Sequence, residues 1–347
     1  NSFLMPPPMF ETDKRDAEHL RDTIRHGSKS FYMASRMLPP DVRAAAFALY
    51  AFCRDADDAV DDDVRTPSII ASLNRRLDAA YARRPWNAPI DRAFSETVHA
   101  YAIPQALPAA LIEGFAWDLD GRTYRSLEDL HAYAARVAGT VGAMMCLVMG
   151  VRSAEALARA TDLGAAMQLT NIARDVGDDA RMGRIYLPLE WLRDNGVDPE
   201  LWLANPTPNQ GIKQTVAMLL DEASKLYARG LSGVSHLPRN CRTAIAAAGL
   251  VYSEIGNEIR SANFDSVTRR AVVSKSRKAA LLTQAALGIY PTADAFGLPA
   301  LRANQFLIDS AARPDAQPEK ESALLPPAAM LDVLLRLQQR QRTQALS

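Results

Sequence analysis

The chain has 347 residues, with 40 Lys and Arg against 40 Asp and Glu, and 48% of its residues are hydrophobic. So even a balance sets up no global field toward nucleic acid or anionic lipid, and any charge that matters is local. Three cysteines, Cys53, Cys146 and Cys241, sit in apolar helical surroundings without metal-ligand spacing. They read as buried thiols of a reducing compartment, which gives a cytoplasmic expectation.

Residues 1–13, rich in Pro and Met, are expected to form a flexible leader. Helix-period spacing then predicts a helix near 13–35. A second begins at Val42, where positions 42, 45, 46, 49, 52, 53, 56 and 60 are apolar behind Pro39 and Pro40. Further helices are predicted over 68–82, 90–102, 106–117, 127–149, 153–178, 188–194, 212–232, 239–262 and 274–288, with prolines mostly between them. Ser126-Leu127-Glu128-Asp129 predicts a capped helix start, a hydroxyl three residues before a carboxylate. The uncharged run Val137 to Val151 spans 15 residues and is broken by Gly139 and Gly142. It falls short of the roughly 20 residues that cross a bilayer, so it is read as a buried core helix. A helical main body over 14–290 is followed by an extension over 291–347, with an expected linker over 311–327 and an expected short amphipathic helix over 328–344. The fold class is all-α.

Two aspartate clusters interrupt this apolar pattern. The first runs Asp57-Asp58-Ala59-Val60-Asp61-Asp62-Asp63, and the second spans Asn171 to Asp179. At about 100° per residue, Tyr50, Arg54, Asp57 and Asp61 share one helical stripe, with Asp58 and Asp62 on its neighbour. Gln168, Asn171, Asp175 and Asp179 share a stripe in the same way. Carboxylates one turn apart suit a shared Mg²⁺, which binds through one or two carboxylates plus substrate phosphates. Acidic side chains at a helix C-terminus oppose the helix dipole, and a bound cation would offset that cost. Gln168 and Asn171 are amides in an apolar stretch, where an unsatisfied group costs roughly 1–3 kcal/mol and a ligand would supply a partner. Lys29, Arg54, Arg174, Arg181, Arg184 and Arg269 add positive charge suited to a diphosphate. Between the clusters, Ala138, Gly139, Gly142 and Ala143 with Met144, Met145, Leu147 and Met149 either leave room for hydrocarbon tails or form a plain packed core. There is no glycine-rich phosphate loop or zinc motif, and Ser28 and Ser30 have no nearby His to make a nucleophile.

The chain resembles the phytoene and squalene synthase family of head-to-head prenyl transferases. The resemblance lies in Gly27-Ser28-Lys29-Ser30-Phe31-Tyr32, in Ala48 to Arg54 running into Asp57 to Asp61, and in Val137-Ala138-Gly139-Thr140-Val141-Gly142. It continues through Gln168 to Val176 and Gly183-Arg184-Ile185-Tyr186-Leu187-Pro188, with Tyr252 and Arg269 beyond, and covers roughly 14–290. It implies that this body is a catalytic domain with the single-domain isoprenoid synthase type I fold, helices around a deep central cavity. It also implies Mg²⁺ (or Mn²⁺) on Asp57, Asp61, Asn171, Asp175 and Asp179, with no NADPH. Ser28, Lys29, Ser30, Tyr50, Arg54, Arg174, Arg184, Tyr186, Tyr252 and Arg269 would then contact the diphosphates or close over them. Phe31, Tyr133, Val137, Ala138, Gln168 and Leu169 would line the hydrocarbon cavity. The implied catalytic set is Tyr50, Arg54, Asp57, Asp61, Asp175 and Asp179. Ala135 and Ala173 depart from a tyrosine and a leucine common in the family, which bears on chain fit and leaves the ligands intact.

The implied reaction is Mg²⁺-dependent condensation of two geranylgeranyl diphosphates to phytoene via prephytoene diphosphate, the first committed step of carotenoid biosynthesis. The same chemistry on farnesyl diphosphate, giving dehydrosqualene, squalene or hydroxysqualene, is the alternative. A non-catalytic assembly or lipid-binding relative is a third reading, expected to lose carboxylates from one cluster. Expected partners are prenyl diphosphates, with peripheral membrane contact and handover of product to a downstream desaturase left open, and no nucleic acid.

Overall fold

The computed structural model describes residues 14–61, 68–291 and 293–312, apart from the side chains of Lys14, Arg15, Lys29 and Asp61. The expected leader, Asp62, Asp63, nearly all of the expected linker and the expected helix over 328–344 lie outside the described residues. Every described element is helical. In chain order they are α1 (Lys14–Gly27), α2 (Lys29–Ser35), α3 (Pro40–Asp61), α4 (Ser68–Tyr81), α5 (Pro89–Ala100), α6 (Ala106–Leu119) and α7 (Leu127–Ala134). A π-helical turn, Ala135–Gly139, leads into α8 (Thr140–Val148). There follow α9 (Ala154–Arg181), α10 (Leu189–Asp194), α11 (Pro199–Ala204), α12 (Gln210–Ser232), α13 (Arg239–Ser261), α14 (Lys275–Ala286) and α15 (Gln305–Ala311).

Three departures from the sequence reading have local causes. The helix expected over 13–35 breaks at Ser28, which is extended (φ −149°, ψ 101°) and accepts the Phe31 N–H as the N-cap of α2. The helix expected over 127–149 starts at the predicted capping box, with Ser126 and Asp129 each bonding the other's backbone, but widens into the π turn before α8. Single π turns recur at functional sites, and this one carries Val137 and Ala138. Helices α11 and α15 escaped the reading because six or seven residues carry too little periodicity. α11 is instead set by Asp198, which accepts the Glu200 and Leu201 N–H groups, and by Pro199 in its first turn.

Helix α9 is the axis of the body, with α8, α12, α13, α15 and the π turn packed around it. Glycines let backbones approach. A Cβ on Gly142 would stand 2.2 Å from the Ala160 carbonyl oxygen, and one on Gly164 would stand 2.4 Å from that of Ala138. Since backbone, unlike a flexible side chain, cannot swing away, Gly164→Ala is expected to destabilise the fold by about 1–3 kcal/mol, read as a lower denaturant midpoint. Among the described residues no helix is long and apolar enough to cross a membrane.

Candidate active site

Helices α3 and α9 face each other across a polar cavity of about 370 Å³. From α3 come Tyr50, Arg54 and Asp57, and from α9 come Gln168, Asn171, Arg174, Asp175 and Asp179. The two stripes read from the sequence thus line one space. Asp118 of α6, Tyr133 of α7, Val137 and Tyr186 complete its wall. Asp61 is the last residue of α3, and its side chain lies outside the described residues.

A second, apolar cavity of about 300 Å³ shares Tyr50, Cys53, Val137, Gln168 and Asn171 with the first, so the charged space opens into a hydrocarbon-lined one. The segment read as either tail lining or packed core divides between the two. Ala138, Gly142, Met145 and Met149 face the apolar cavity, whereas Ala143, Met144 and Leu147 are buried in the core. Leu169 of α9, expected to line the cavity, is instead fully buried in the core. Phe31, Tyr252 and Tyr50 form an aromatic group at the junction, with ring centroids 4.9 Å apart for Phe31–Tyr252 and 6.3 Å for Phe31–Tyr50. Burial raises the Tyr252 phenol while Ser28 beside it pulls the other way, and Gly27 has no Cβ where one would come within 2.4 Å of the Tyr50 hydroxyl. Ser30 is half-buried on α2, and the Lys29 side chain lies outside the described residues.

The charges are arranged unevenly. Arg54 pairs with Asp57 at 3.3 Å and with Asp58 at 2.5 Å, so the neighbouring stripe is engaged too. Burial alone would raise the Asp175 carboxyl, but hydrogen bonds from Arg174 and Arg270, both at 2.7 Å, hold it below the ordinary carboxylate range. Burial, and then the Asp175 charge, push Asp179 up to about 7 against the pull of Arg184. Burial likewise raises the Tyr50 phenol to about 12, so it stays a proton donor at neutral pH. Arg181 pairs with Asp178 at 2.6 Å and holds the Val267 carbonyl at 2.8 Å, which ties down a loop rather than facing the cavity.

Asn171 Oδ1 is buried with no hydrogen-bond partner among the described residues. Buried acceptors are almost always satisfied, so an orphan beside two carboxylates fits a cation. Among the described residues no three acidic, His or Cys side chains converge into a complete metal cage. Carboxylates on opposite walls suit ions whose remaining ligands are substrate oxygens.

Two participants were absent from the sequence reading. Asp118 accepts hydrogen bonds from Tyr133 at 2.8 Å and Tyr186 at 2.7 Å. Its signal was a carboxylate near the end of the otherwise apolar α6. Both Arg269 and Arg270 are exposed, but Arg270 reaches Asp175, whereas Arg269, the residue singled out from the sequence, lines neither cavity. Arg270→Ala is expected to lower kcat/KM by about 10–100-fold, because a charge-assisted pair holding the Asp175 carboxylate is lost.

A sequence model of the squalene/phytoene synthase family matches residues 24–277, which contain both aspartate clusters. The chain belongs to the squalene/phytoene synthase family. It is 48% identical over 319 residues to the phytoene synthase of Rhodobacter capsulatus, covering 89% of this chain and 94% of that protein. The phytoene synthase of Cereibacter sphaeroides is 46% identical over 345 residues, covering 94% of this chain and 96% of the relative. Among solved structures, a dehydrosqualene synthase in complex with ligand superposes with a TM-score of 0.73 at 32% identity, over 80% of this chain and 98% of that one. The architecture is the all-α isoprenoid synthase fold of this family.

Proposed function

We propose that the protein condenses two molecules of geranylgeranyl diphosphate head to head, giving phytoene and two diphosphates by way of prephytoene diphosphate. The observation that carries the reading is the junction of cavities, a carboxylate- and arginine-lined mouth continuous with an apolar chamber. Two nearly full-length relatives, each named a phytoene synthase, favour the twenty-carbon substrate.

Asp57, Asp61, Asn171, Asp175 and Asp179 are the residues we assign to Mg²⁺. Bound there, Mg²⁺ supplies Lewis-acid charge that eases departure of diphosphate. Arg54, Arg174, Arg184 and Arg270 add fixed positive charge around the same leaving group, and the Tyr50 phenol adds a hydrogen bond. In the first half-reaction the C1–O bond of one substrate breaks and its electron pair leaves with diphosphate. The double bond of the second substrate attacks the allylic cation, and loss of a proton closes the cyclopropane. A second ionisation, rearrangement and proton loss give the hydrocarbon without a reductant. The proton acceptor is assigned to released diphosphate. Phe31, Val137, Ala138, Met145 and Met149 keep water from cations that would otherwise be trapped as alcohols. We place the enzyme in the cytoplasm with peripheral membrane contact, where a product lacking any polar group passes to a desaturase.

The test is to feed the purified protein geranylgeranyl or farnesyl diphosphate with Mg²⁺, with and without NADPH. Phytoene from the longer substrate, independent of NADPH, is expected. A thirty-carbon product with no phytoene would refute the reading.

A further inference from the structure

The largest fully buried side chain among the described residues is an arginine, and it lines the apolar cavity. Arg159 of α9 is 1% exposed. It lies twelve residues before Asn171, about 18 Å along the helix axis from the proposed metal-binding end. Gln168 and Asn171 of α9 line both cavities and so mark the junction, whereas Arg159 and Ala156, further along the same helix, line the apolar chamber alone, together with Gly233 and Val234.

A charge at the foot of a hydrocarbon chamber is expensive unless it is paired. Arg159 pairs with Asp162 at 2.9 Å, and Asp162, itself fully buried, also pairs with Arg229 of α12 at 2.9 Å. The cluster carries one net positive charge, and backbone carbonyls answer it. Arg159 donates to the carbonyls of Ala295, Phe296 and Pro299, and Arg229 donates to that of Pro299 at 2.7 Å. Those carbonyls belong to the strap 293–312, which lies beyond the stretch matched by the family model.

The strap is itself anchored. Leu307 and Ile308 of α15 are buried, the Phe296 ring stacks on His236, and Phe306 lies 5.1 Å from the Arg136 guanidinium of the π turn. Gly233 makes room for the arginine stem, since a Cβ there would lie 2.6 Å from that of Arg159.

We propose that Arg159, held by Asp162 and the strap carbonyls, with Arg229 fixing Asp162 from its other side, is the floor of the chamber and determines the longest prenyl chain the enzyme accepts. The inference rests on the prenyl condensation argued above. Asp162 and Arg229 are positioning residues. A packed hydrophobic floor would yield by rotamer changes, whereas a guanidinium held by a buried carboxylate and by strap carbonyls resists them, so chain length meets a hard stop.

The test compares kcat/KM for fifteen-, twenty- and twenty-five-carbon prenyl diphosphates in the full-length wild type, Arg159→Ala and Gly233→Ala. Arg159→Ala deepens the chamber and is expected to raise the twenty-five to twenty carbon ratio about ten-fold or more. Gly233→Ala would set a methyl 2.6 Å from the Arg159 Cβ, pressing the arginine stem toward the chamber, and is expected to move preference the other way, toward fifteen carbons. Should Arg159→Ala fail to fold, Arg159→Lys, with its slimmer head, replaces it with the same expected direction. Folded variants that lose activity equally on all three substrates would overturn the inference, because a merely structural arginine leaves the ratios unchanged. A wild type that makes no forty-carbon product would instead overturn the functional reading.

Discussion

Asp175→Ala is expected to lower kcat/KM for geranylgeranyl diphosphate by about 10³-fold or more, equivalent to roughly 4 kcal/mol of transition-state stabilisation. Asp175 is the best-supported carboxylate of the site. Two arginines keep it ionised despite burial, and it shares the cavity wall with the orphaned oxygen of Asn171. Removing it takes away a proposed metal ligand and leaves Arg174 and Arg270 without their shared partner. The second effect draws the guanidiniums toward substrate phosphate, so binding is expected to persist while the chemical step fails. The signature is a kcat collapse with a modest change in KM, in a protein whose circular dichroism stays helical. Equal loss in both parameters would point to misfolding or to a purely binding role.

Asp179→Asn is expected to act in two opposite directions. It should lower activity by about 10²-fold or more, since it removes a proposed metal ligand. In metal-free protein it should also raise the melting temperature at pH 8. The sign follows from linkage. A carboxyl whose folded pKa is about 7 binds its proton more tightly in the folded chain than in the unfolded one. Its stabilising contribution is complete below the unfolded value near 4 and disappears as pH rises through about 7. At pH 8 the folded wild type therefore holds a buried, ionised Asp179 beside ionised Asp175, and the amide relieves first the cost of burying that charge and then the repulsion. By pH 5 the carboxyl is protonated in the fold and the difference between the two proteins should shrink. A melting comparison at the two pH values, with chelator present, checks it. A variant less stable than wild type at both would show that the two charges do not repel in the metal-free fold. Such a residue is kept for function at the expense of stability.

Sequence alone exposed the parts of the site that one helix can encode. On α9, the period of 3.6 residues decides that Gln168, Asn171, Asp175 and Asp179 share a face. On α3 it does the same for Tyr50, Arg54 and Asp57, and the structure turns both faces onto one cavity. What escaped depends on residues far apart in the chain. Arg270 meets Asp175 across 95 positions, and no periodicity distinguishes it from Arg269. Asp118 acquires its role from Tyr133 and Tyr186, 15 and 68 positions away. The strap is more remote still, with Phe296 bonded to Arg159 across 137 positions, and its own helix is too short to announce itself by pattern. The π turn was hidden for another reason. Its residues read as good helix, and the widening goes with tertiary packing against α9, where Gly164 admits the Ala138 carbonyl.

The most direct measurement of the central claim uses geranylgeranyl diphosphate labelled with ¹³C at C1, turned over by the purified protein with Mg²⁺, and the product read by mass and ¹³C NMR. Head-to-head joining at this mouth and chamber predicts a forty-carbon hydrocarbon carrying two labels, both in the olefinic resonance of its central double bond. Label in a saturated carbon of a head-to-tail product, or recovery only of twenty-carbon alcohols, would contradict it.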